Sequence, residues 1–230
     1  MSSSTSISEP VLAIPFLAGD LRPCLDSIDI PVRLVVIDNS PTGETWDVVP
    51  DDAHVIDMPT NIGYTASVNL VIRSMPHEPY WLIGNHDTVF APGDLSRLIE
   101  RTESGDVGWV GVNDWAIFGL TAAAVERVGF WDEHFFNYCS DADYERRCDL
   151  AGVRREVIQG ETTHAGSAVI KGYPEYARAN RHSYPQEVAY FEQKWGVPVR
   201  SDGGYATPFD SGDPHHTVPD LSHLRELAWR

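Results

Sequence analysis

The stretch Tyr80–Leu95, YWLIGNHDTVFAPGDL, joins an apolar run to a polar cluster and then to a Pro-Gly break. Its first five residues are almost continuously apolar, which is typical of a strand that is covered on both faces of a sheet. Asn85, His86 and Asp87 follow at once, and their side chains carry oxygen and nitrogen atoms that bind cations or phosphate groups. Asn and Asp are also common in ordinary turns. The stretch therefore predicts the end of a buried strand and leaves open whether that end carries chemistry.

Segments of the same kind recur on both sides of this stretch. Three further apolar runs predict strands at residues 11–17 (VLAIPFL), 33–40 (RLVVIDNS) and 107–112 (VGWVGV), and residues 155–160 (REVIQG) are a candidate for a last strand. Between them, apolar residues recur with helical spacing, as they do at Val68, Val71, Ile72 and Met75. This alternation of strands and helices predicts an α/β fold with a mostly parallel central sheet flanked by helices.

The C-terminal half is predicted to be mainly helical. LTAAAVERVG (residues 120–129) has a helical pattern closed by a glycine, and DADYERRCDLAG (residues 141–152) has acidic residues near its start and a glycine at its end. The pattern over residues 174–196 is helical as well, but it contains Pro185. Because a proline removes a helix hydrogen bond, we expect two helices that meet there.

The composition of the chain excludes several classes of function. With 230 residues and a formal net charge of −17, the chain fits one sizeable domain whose surface lacks the basic footprint of nucleic-acid binders. Its three cysteines have neither metal-site nor disulfide-framework spacing. No basic and apolar leader is evident, and no stretch approaches the length of a membrane span. We therefore expect a soluble, cytoplasmic protein that neither binds nucleic acid nor inserts stably into a membrane.

The two ends of the chain differ in composition from the rest. Residues 1–10 are rich in Ser and are expected to be disordered, whereas residues 11–200 form the predicted α/β domain. Residues 201–230 begin with a stretch rich in Gly, Pro, Asp and Ser, and they are expected to form a tail or lid with a short helix. This tail, with His215, His216 and Trp229, is expected either to cover an acceptor, to mediate homo-oligomer contacts, or to be a passive extension.

Polar clusters stand where the predicted strands end. Asp38–Ser40, Asn85–Asp87 and Asn113–Asp114 each follow an apolar run, and ligands of open α/β sheets bind outside the carboxyl ends of the strands. Any one cluster is more often a turn, but their repetition favours a site. Asp87 suits Mg²⁺ or Mn²⁺, which prefer oxygen ligands. His164, within ETTHAGS, offers a nitrogen ligand or a hydrogen bond to a phosphate group.

Asp141 and Asp143 lie near the predicted N-terminus of a helix. Acidic residues there cap the helix and complement its dipole, which by position alone is the preferred interpretation of both. The competing interpretation is that one carboxylate is a general base that takes a proton from an attacking hydroxyl. Position in the sequence does not separate the two.

Five motifs occur in a characteristic order along residues 11–196. They are VVIDNS, NIGYTASVN, LIGNHDTVF, FGLTAAAVERVGFWDEHFFNYCSDADYERRCDLAG and HAGS. Their order and spacing resemble the family 2 glycosyltransferases of the GT-A fold, in particular the rhamnosyltransferase-like members. The segment of residues 129–152 is the strongest part of the resemblance. It implies that the domain at residues 11–200 is a GT-A glycosyltransferase domain.

The resemblance implies a donor pocket. Asp38 matches the acidic position that contacts the nucleotide base. Asn61 and Gly63, and less closely Asn69, match the segment that lines the nucleoside pocket. The implied donor is a nucleoside-diphosphate sugar.

The resemblance also implies a metal site and a catalytic base. Asn85–Asp87 takes the place of the Asp-x-Asp motif, with Asp87 as the carboxylate ligand of Mn²⁺ or Mg²⁺ and His164 as the histidine that contacts metal or diphosphate. Asn85 departs from the motif but keeps an oxygen atom for donor binding. Asp141 matches the catalytic base, although Ser140 replaces the Glu that precedes it in the family.

The implied function is a metal-dependent inverting glycosyltransferase that moves a hexosyl or deoxyhexosyl group to an acceptor hydroxyl on a protein or glycan. Trp115 and Trp131 are candidates for an apolar sugar or acceptor wall, although large aromatic residues belong to cores more often. One alternative is a non-catalytic module that binds sugar nucleotides. A sugar nucleotidyltransferase is a further alternative, but the first strand is not followed by the Gly-rich basic loop that such an enzyme needs for phosphates.

Overall fold

A computed structural model of the chain describes residues 9–43, 45–201 and 208–210. The strands in this part are β1 (Val11–Phe16), β2 (Arg33–Asp38), β3 (His54–Asp57), β4 (Tyr80–Gly84), β5 (Thr88–Val89), β6 (Trp109–Val112), β7 (Ile117–Thr121), β8 (Arg155–Ile158) and β9 (Thr163–His164). The helices are α1 (Arg22–Asp26), α2 (Tyr64–Ser74), α3 (Asp94–Glu103), α4 (Ala122–Val128), α5 (Ser140–Ala151), α6 (Ala168–Gly172) and α7 (Pro174–Trp195), and a short 3₁₀ turn spans Pro208–Asp210.

The central sheet has the strand order β3-β2-β1-β4-β7-β6-β8. Six of these strands run in one direction, and β7 runs antiparallel to both of its neighbours, β4 and β6. Helices flank the sheet, so the predicted α/β class with a mostly parallel sheet is confirmed. This topology places the ends of β1, β2 and β4, and the polar residues that follow them, along one edge of the sheet.

The central strands are buried on both faces. All six residues of β1 and all five of β4 are buried, which explains why their sequences are apolar without alternation. Neighbouring residues of β1 point to opposite faces. Val11 and Ala13 therefore join the core beneath α2, α4 and α5, whereas Leu12 and Ile14 join the core beneath α1 and α3.

A second, two-stranded sheet lies beside the edge where these strands end. β5 and β9 pair antiparallel, with Thr88 opposite His164 and Val89 opposite Thr163. The pairing joins two segments that are far apart in the sequence. It brings His164 next to the residue that precedes β5, which is Asp87.

Two predictions about helices need correction. Pro185 does not separate two helices, because α7 runs without interruption from Pro174 to Trp195. A proline removes only one N–H from the helix, and the buried residues that follow it, such as Phe191 and Trp195, hold the helix to the core. The helix predicted from Leu120 begins at Ala122 instead, because Leu120 and Thr121 complete β7. Strands β3, β5, β7 and β9 were not predicted.

Several expectations concern regions at the ends of the chain. Residues 1–8, 202–207 and 211–230, including His215, His216 and Trp229, lie outside the described residues.

The three cysteines are buried free thiols. No described helix combines the length and the apolar character that crossing a membrane requires.

Candidate active site

A cavity of about 280 Å³ opens at the edge of the sheet where β1, β2 and β4 end. Residues from the predicted polar clusters line it together with residues of the segments before α2, α5 and α6. The lining residues used below are Asn39, Asn61, Gly63, Tyr64, Asn85, His86, Asp87, Trp115, Trp131, Asn137, Tyr138, Ser140, Asp141 and His164. The cavity therefore unites most of the predicted donor and metal residues with the predicted base.

Asp87 and His164 contact each other at one side of the cavity. Asp87 Oδ1 lies 2.9 Å from His164 Nε2, and the Ala165 N–H donates a hydrogen bond to the Asp87 carbonyl at 3.1 Å. The pairing of β5 with β9 sets this contact. Burial alone would raise the pKa of Asp87, but the hydrogen bond and charge of His164, together with His86 and the Ala168 N–H, hold that pKa below its usual range.

His86 lies beside this pair and packs edge-on against Phe16, with ring centroids 5.4 Å apart. Burial lowers the pKa of His86, and the nearby Asp87 only partly opposes that effect. Among the described residues, no group of three or more His, Cys, Asp or Glu side chains converges on one point. Asp87 and His164 nevertheless fit a divalent cation, because Mg²⁺ and Mn²⁺ commonly take one or two protein ligands and complete their shell with water and substrate phosphates.

Asp141 lies in the first turn of α5 and is exposed at the cavity wall. Its Oδ1 accepts a hydrogen bond from the Ala142 N–H at 2.8 Å. Desolvation in the cavity is the main cause that raises the pKa of Asp141; the Ala142 and Asp141 N–H groups oppose it, and the charges of Asp114 and Asp143 add to it. A carboxylate with a raised pKa holds a proton more readily than an ordinary one and so suits a general base.

The N-terminal segment of α2 forms another part of the cavity wall. Asn61 Oδ1 accepts a hydrogen bond from the Gly63 N–H at 2.8 Å. Gly63 has a φ of 82°, and a Cβ there would lie 2.6 Å from the Phe136 carbonyl oxygen. Only glycine therefore allows α2 to begin so close to the segment that precedes α5.

The family model described as glycosyl transferase family 2 matches residues 18–159, which is more than half of the chain. The chain belongs to glycosyl transferase family 2. The matched segment of this glycosyltransferase includes the residues that form the cavity from Asn39 to Asp141, whereas His164 follows it. No curated protein matches the chain at a significant level.

Solved structures share the fold of this family 2 glycosyltransferase. Glucosyl-3-phosphoglycerate synthase from Mycobacterium tuberculosis, in complex with Mn²⁺, UDP-glucose and phosphoglyceric acid, matches with a TM-score of 0.60 and 12% identity over 84% of this chain and 81% of that one. A complex of the same enzyme with Mn²⁺, UDP and phosphoglyceric acid gives 0.58 and 12% over 88% of each chain. S. aureus TarS 1–349 gives 0.51 and 12% over 65% of this chain, which spans 58% of the TarS structure. The fold is that of the GT-A glycosyltransferases.

Of the predicted donor residues, Asp38 and Asn69 are buried away from the cavity, whereas Asn85 lines it. Asp38 is 1% exposed, and its carboxylate accepts hydrogen bonds from the Ser40 N–H at 2.8 Å and from the Thr45 hydroxyl at 2.6 Å. Asn69 is fully buried and exchanges hydrogen bonds with the backbone of Trp131. Neither side chain lines the cavity. Asn85 does line it, and its side-chain N–H₂ group donates to the Trp115 carbonyl at 3.0 Å.

The glycosyltransferase cavity also contains residues that sequence reasoning did not select. Asn39 lines the cavity; its Oδ1 accepts from the Ile62 N–H at 3.1 Å and its Nδ2 donates to Ser67 Oγ at 3.0 Å. It therefore links the end of β2 to the start of α2. The sequence did contain a sign of this role, because Asn39 lies inside a predicted polar cluster next to Asp38. Tyr138 had no such signal, since an aromatic residue before a helix is not distinctive.

The two acidic residues at the start of α5 do not cap it. Its N-cap position is Cys139, in the left-handed region with a φ of 64°, and no side chain caps the helix there. Asp143 is fully buried and accepts hydrogen bonds from Arg147 Nε at 2.9 Å and Trp195 Nε1 at 3.0 Å. Both acidic residues still lie in the first turn, where the helix dipole favours negative charge.

Proposed function

We propose that the chain is a metal-dependent inverting glycosyltransferase that transfers a sugar from a nucleoside-diphosphate sugar to an acceptor hydroxyl. The observation that carries the proposal is one cavity with the Asp87–His164 pair at one part of its wall and the exposed carboxylate of Asp141 at another. The two groups suit different roles. A paired carboxylate with a lowered pKa stays ionised and binds cations, whereas one with a raised pKa accepts protons.

Asp141 is the proposed general base. Its carboxylate would take the proton from the acceptor hydroxyl as the oxygen attacks the anomeric carbon, so that the acceptor attacks as a stronger nucleophile. The new bond forms on the face of the sugar opposite the departing diphosphate, which inverts the configuration of the anomeric carbon. The hydrogen bond from the Ala142 N–H holds the carboxylate in a fixed direction during this step.

Asp87 and His164 are the proposed metal ligands. A bound Mn²⁺ or Mg²⁺ would neutralise negative charge on the diphosphate. Asn39, Asn61 and Gly63 have a different role, because they shape the adjoining wall where a nucleoside would lie. Mn²⁺ and UDP-glucose are present in the solved structure of glucosyl-3-phosphoglycerate synthase, and that pair is therefore the first donor combination to test.

The proposed acceptor is a protein or a glycan hydroxyl. Tyr64, Trp115 and Tyr138 give the cavity aromatic surface, on which the apolar face of a sugar ring packs well. Asp141 and the nearby Asp114 add negative charge at the same end. This combination favours a neutral acceptor over an anionic one.

A donor screen tests the proposal. Purified protein is incubated with UDP-, GDP- and dTDP-sugars, with and without Mn²⁺ or Mg²⁺, and released nucleoside diphosphate is measured. The expected result is metal-dependent release from one donor, which is lost in the Asp87→Ala variant. Binding of a donor without any turnover, even with acceptor glycans or peptides present, would instead identify a non-catalytic sugar-nucleotide-binding module. Release of pyrophosphate from a nucleoside triphosphate and a sugar phosphate would indicate a nucleotidyltransferase.

A further inference from the structure

Glu187 occupies an unusual position on the long C-terminal helix α7. It is the first buried residue along this helix and is 3% exposed, while the residues before it, 174–186, are exposed or half-buried. The buried positions that follow include the large aromatic residues Phe191 and Trp195. A buried carboxylate costs free energy unless hydrogen bonds compensate for the lost water. The partners of Glu187 therefore indicate what it does.

Glu187 faces the backbone of the segment that precedes α5, residues 136–139, which is called the α5 loop below. Its Oε2 accepts a hydrogen bond from the Tyr138 N–H at 2.7 Å. Burial raises the pKa of Glu187, and the N–H groups of Tyr138, Asn137 and Phe136 oppose this effect only in part. Among the described residues, the Tyr138 N–H is the hydrogen-bond partner of this carboxylate, and Oε1 is buried without one.

The opposite side of the same segment is attached to α2. The Phe136 carbonyl accepts a hydrogen bond from the Tyr64 N–H at 2.9 Å, and the Phe135 carbonyl accepts one from the Thr65 hydroxyl. The α5 loop is therefore held between two helices. α2 binds the carbonyl side of the segment, and Glu187 of α7 binds the Tyr138 N–H.

The α5 loop is close to the proposed chemistry. Asn137 and Tyr138 line the cavity, and Cys139, with its left-handed backbone, leads directly into Ser140 and Asp141. No side chain caps α5, so the loop before it helps to set the position of its first turn, together with the buried contacts of Asp143. A shift of the loop would move the Asp141 carboxylate relative to the rest of the cavity.

We propose that Glu187 is a positioning residue that fixes the α5 loop and thereby sets Asp141 in the cavity. The inference rests on the proposed role of Asp141. It predicts an effect on turnover that exceeds any effect on donor affinity, because the donor wall formed by Asn61, Gly63 and Asn39 has its own hydrogen bonds. A displacement of about 1 Å in a reacting group costs on the order of 100-fold in rate.

Variants at three positions separate positioning from general stability. Glu187→Ala removes the hydrogen-bond acceptor, and Glu187→Leu fills the space without an acceptor and serves if the alanine variant does not fold. Glu187→Gln keeps an oxygen that accepts from Tyr138. Val128→Ala changes a fully buried residue of α4 in a different part of the core. It is expected to lower stability without a direct effect on the α5 loop. Glu192→Ala is the matched control on the exposed face of the same helix.

The measurements are kcat and donor KM with UDP-glucose or the donor found in the screen, and amide hydrogen exchange of the α5 loop in the free protein. Glu187→Ala and Glu187→Leu are expected to lower kcat by about 10- to 100-fold with little change in KM, and to speed exchange of the Tyr138 amide. Glu187→Gln should recover most of the rate, while Val128→Ala and Glu192→Ala should keep both kcat and slow exchange.

Two results would overturn the inference. One is an unchanged kcat in Glu187→Ala or Glu187→Leu while wild-type protein is active. The other is a Tyr138 amide that exchanges equally fast in wild-type and variant proteins. A wild-type protein that is inactive with every donor would instead count against the proposed function, and the exchange data alone would then decide whether Glu187 fixes the loop.

Discussion

Asp141 and Asp143 stand two positions apart on α5, yet their surroundings differ completely. Asp141 is exposed in the cavity and has no ion pair among the described residues. Asp143 is fully buried in a charged cluster that also contains Asp132, Arg147 and Lys194. The charges of the two carboxylates and the two cations cancel within this cluster. The cavity carboxylate is available for chemistry, and the cluster carboxylate holds the scaffold together.

The cluster shows how the cavity is kept in shape. Lys194 of α7 donates to Asp132 Oδ2 at 2.7 Å and also pairs with Asp143. Arg147 donates from Nη1 to the backbone carbonyls of Val128 and Phe130, at 3.1 and 2.9 Å. The cluster therefore ties α4, α5 and α7 together below the first turn that presents Asp141. Residues two positions apart on a helix do not share a face, so Asp143 points to Arg147 and α7 in the core, whereas Asp141 points into the cavity.

The largest expected effect is on turnover, at Asp141. Asp141→Asn removes the proton acceptor but keeps the shape of the side chain. We expect transfer to fall by about 10²- to 10⁴-fold, with donor binding and thermal stability unchanged. Initial rates and a thermal melt check this. Wild-type turnover in the variant would remove Asp141 from the mechanism.

Asp143 should show the opposite pattern. Asp143→Ala leaves Arg147 and Lys194 buried with too little negative charge, so we expect the free energy of unfolding to fall by about 3–5 kcal/mol. Turnover of the molecules that remain folded should stay close to wild type at low temperature. Asp149→Asn is the matched control, since its exposed carboxylate pairs at the surface and is worth at most about 1 kcal/mol. Chemical denaturation compares the two, and equal stabilities would contradict the assigned role of the cluster.

Gly63, in the proposed donor wall, tests how the close contact between α2 and the α5 loop affects stability and donor binding. In Gly63→Ala the new Cβ would meet the Phe136 carbonyl and ring at 2.6 and 2.7 Å, so α2 or the α5 loop has to move. Gly93 has a similar φ of 79° with open space around its Cβ position, so Gly93→Ala carries the backbone strain alone. We expect about 1–3 kcal/mol of lost stability for Gly93→Ala, and a larger loss with weaker donor binding for Gly63→Ala. Equal effects of the two substitutions would show that the close contact is unimportant.

The smallest expected effect is a shift in a pH profile. The proposed base, Asp141, has to be deprotonated to accept a proton, and its pKa is raised. Transfer should therefore decline on acidification at a higher pH than it would for an ordinary Asp. Asp114→Asn removes one of the charges that raise this pKa, so the acidic limb of kcat should move to lower pH. If the acidic limb of the kcat profile stays at the same pH in this variant, Asp114 does not raise the pKa of Asp141.

Much of the fold follows from local sequence. The continuous apolar runs at β1, β2, β4 and β6 are sufficient to predict a mostly parallel sheet, because such a composition is typical of doubly covered strands. Strand β7 was missed because its last residues, Leu120 and Thr121, lead directly into helical sequence. The break predicted at Pro185 was wrong because the contacts of the residues after it with the core keep α7 continuous.

The site was predictable in type but not in every residue. The polar clusters at strand ends marked Asn85, Asp87 and the region of Asn39, because the edge of a parallel sheet gathers such ends. The partners that bury Asp143 include Trp195 of α7, about 50 residues later in the chain, and no local pattern reports such a contact. Glu187 was missed for the same reason, since its function depends on a distant loop.

We propose above all that Asp87 serves donor binding and Asp141 serves proton removal within one cavity. Calorimetric titration of UDP, GDP and dTDP, with and without Mn²⁺, into wild-type protein, Asp87→Ala and Asp141→Asn tests this division of roles directly. We predict that one nucleotide binds wild type and Asp141→Asn equally well with Mn²⁺, and that Asp87→Ala loses the gain from Mn²⁺. Metal-dependent binding that survives in Asp87→Ala, or that disappears in Asp141→Asn, would contradict it.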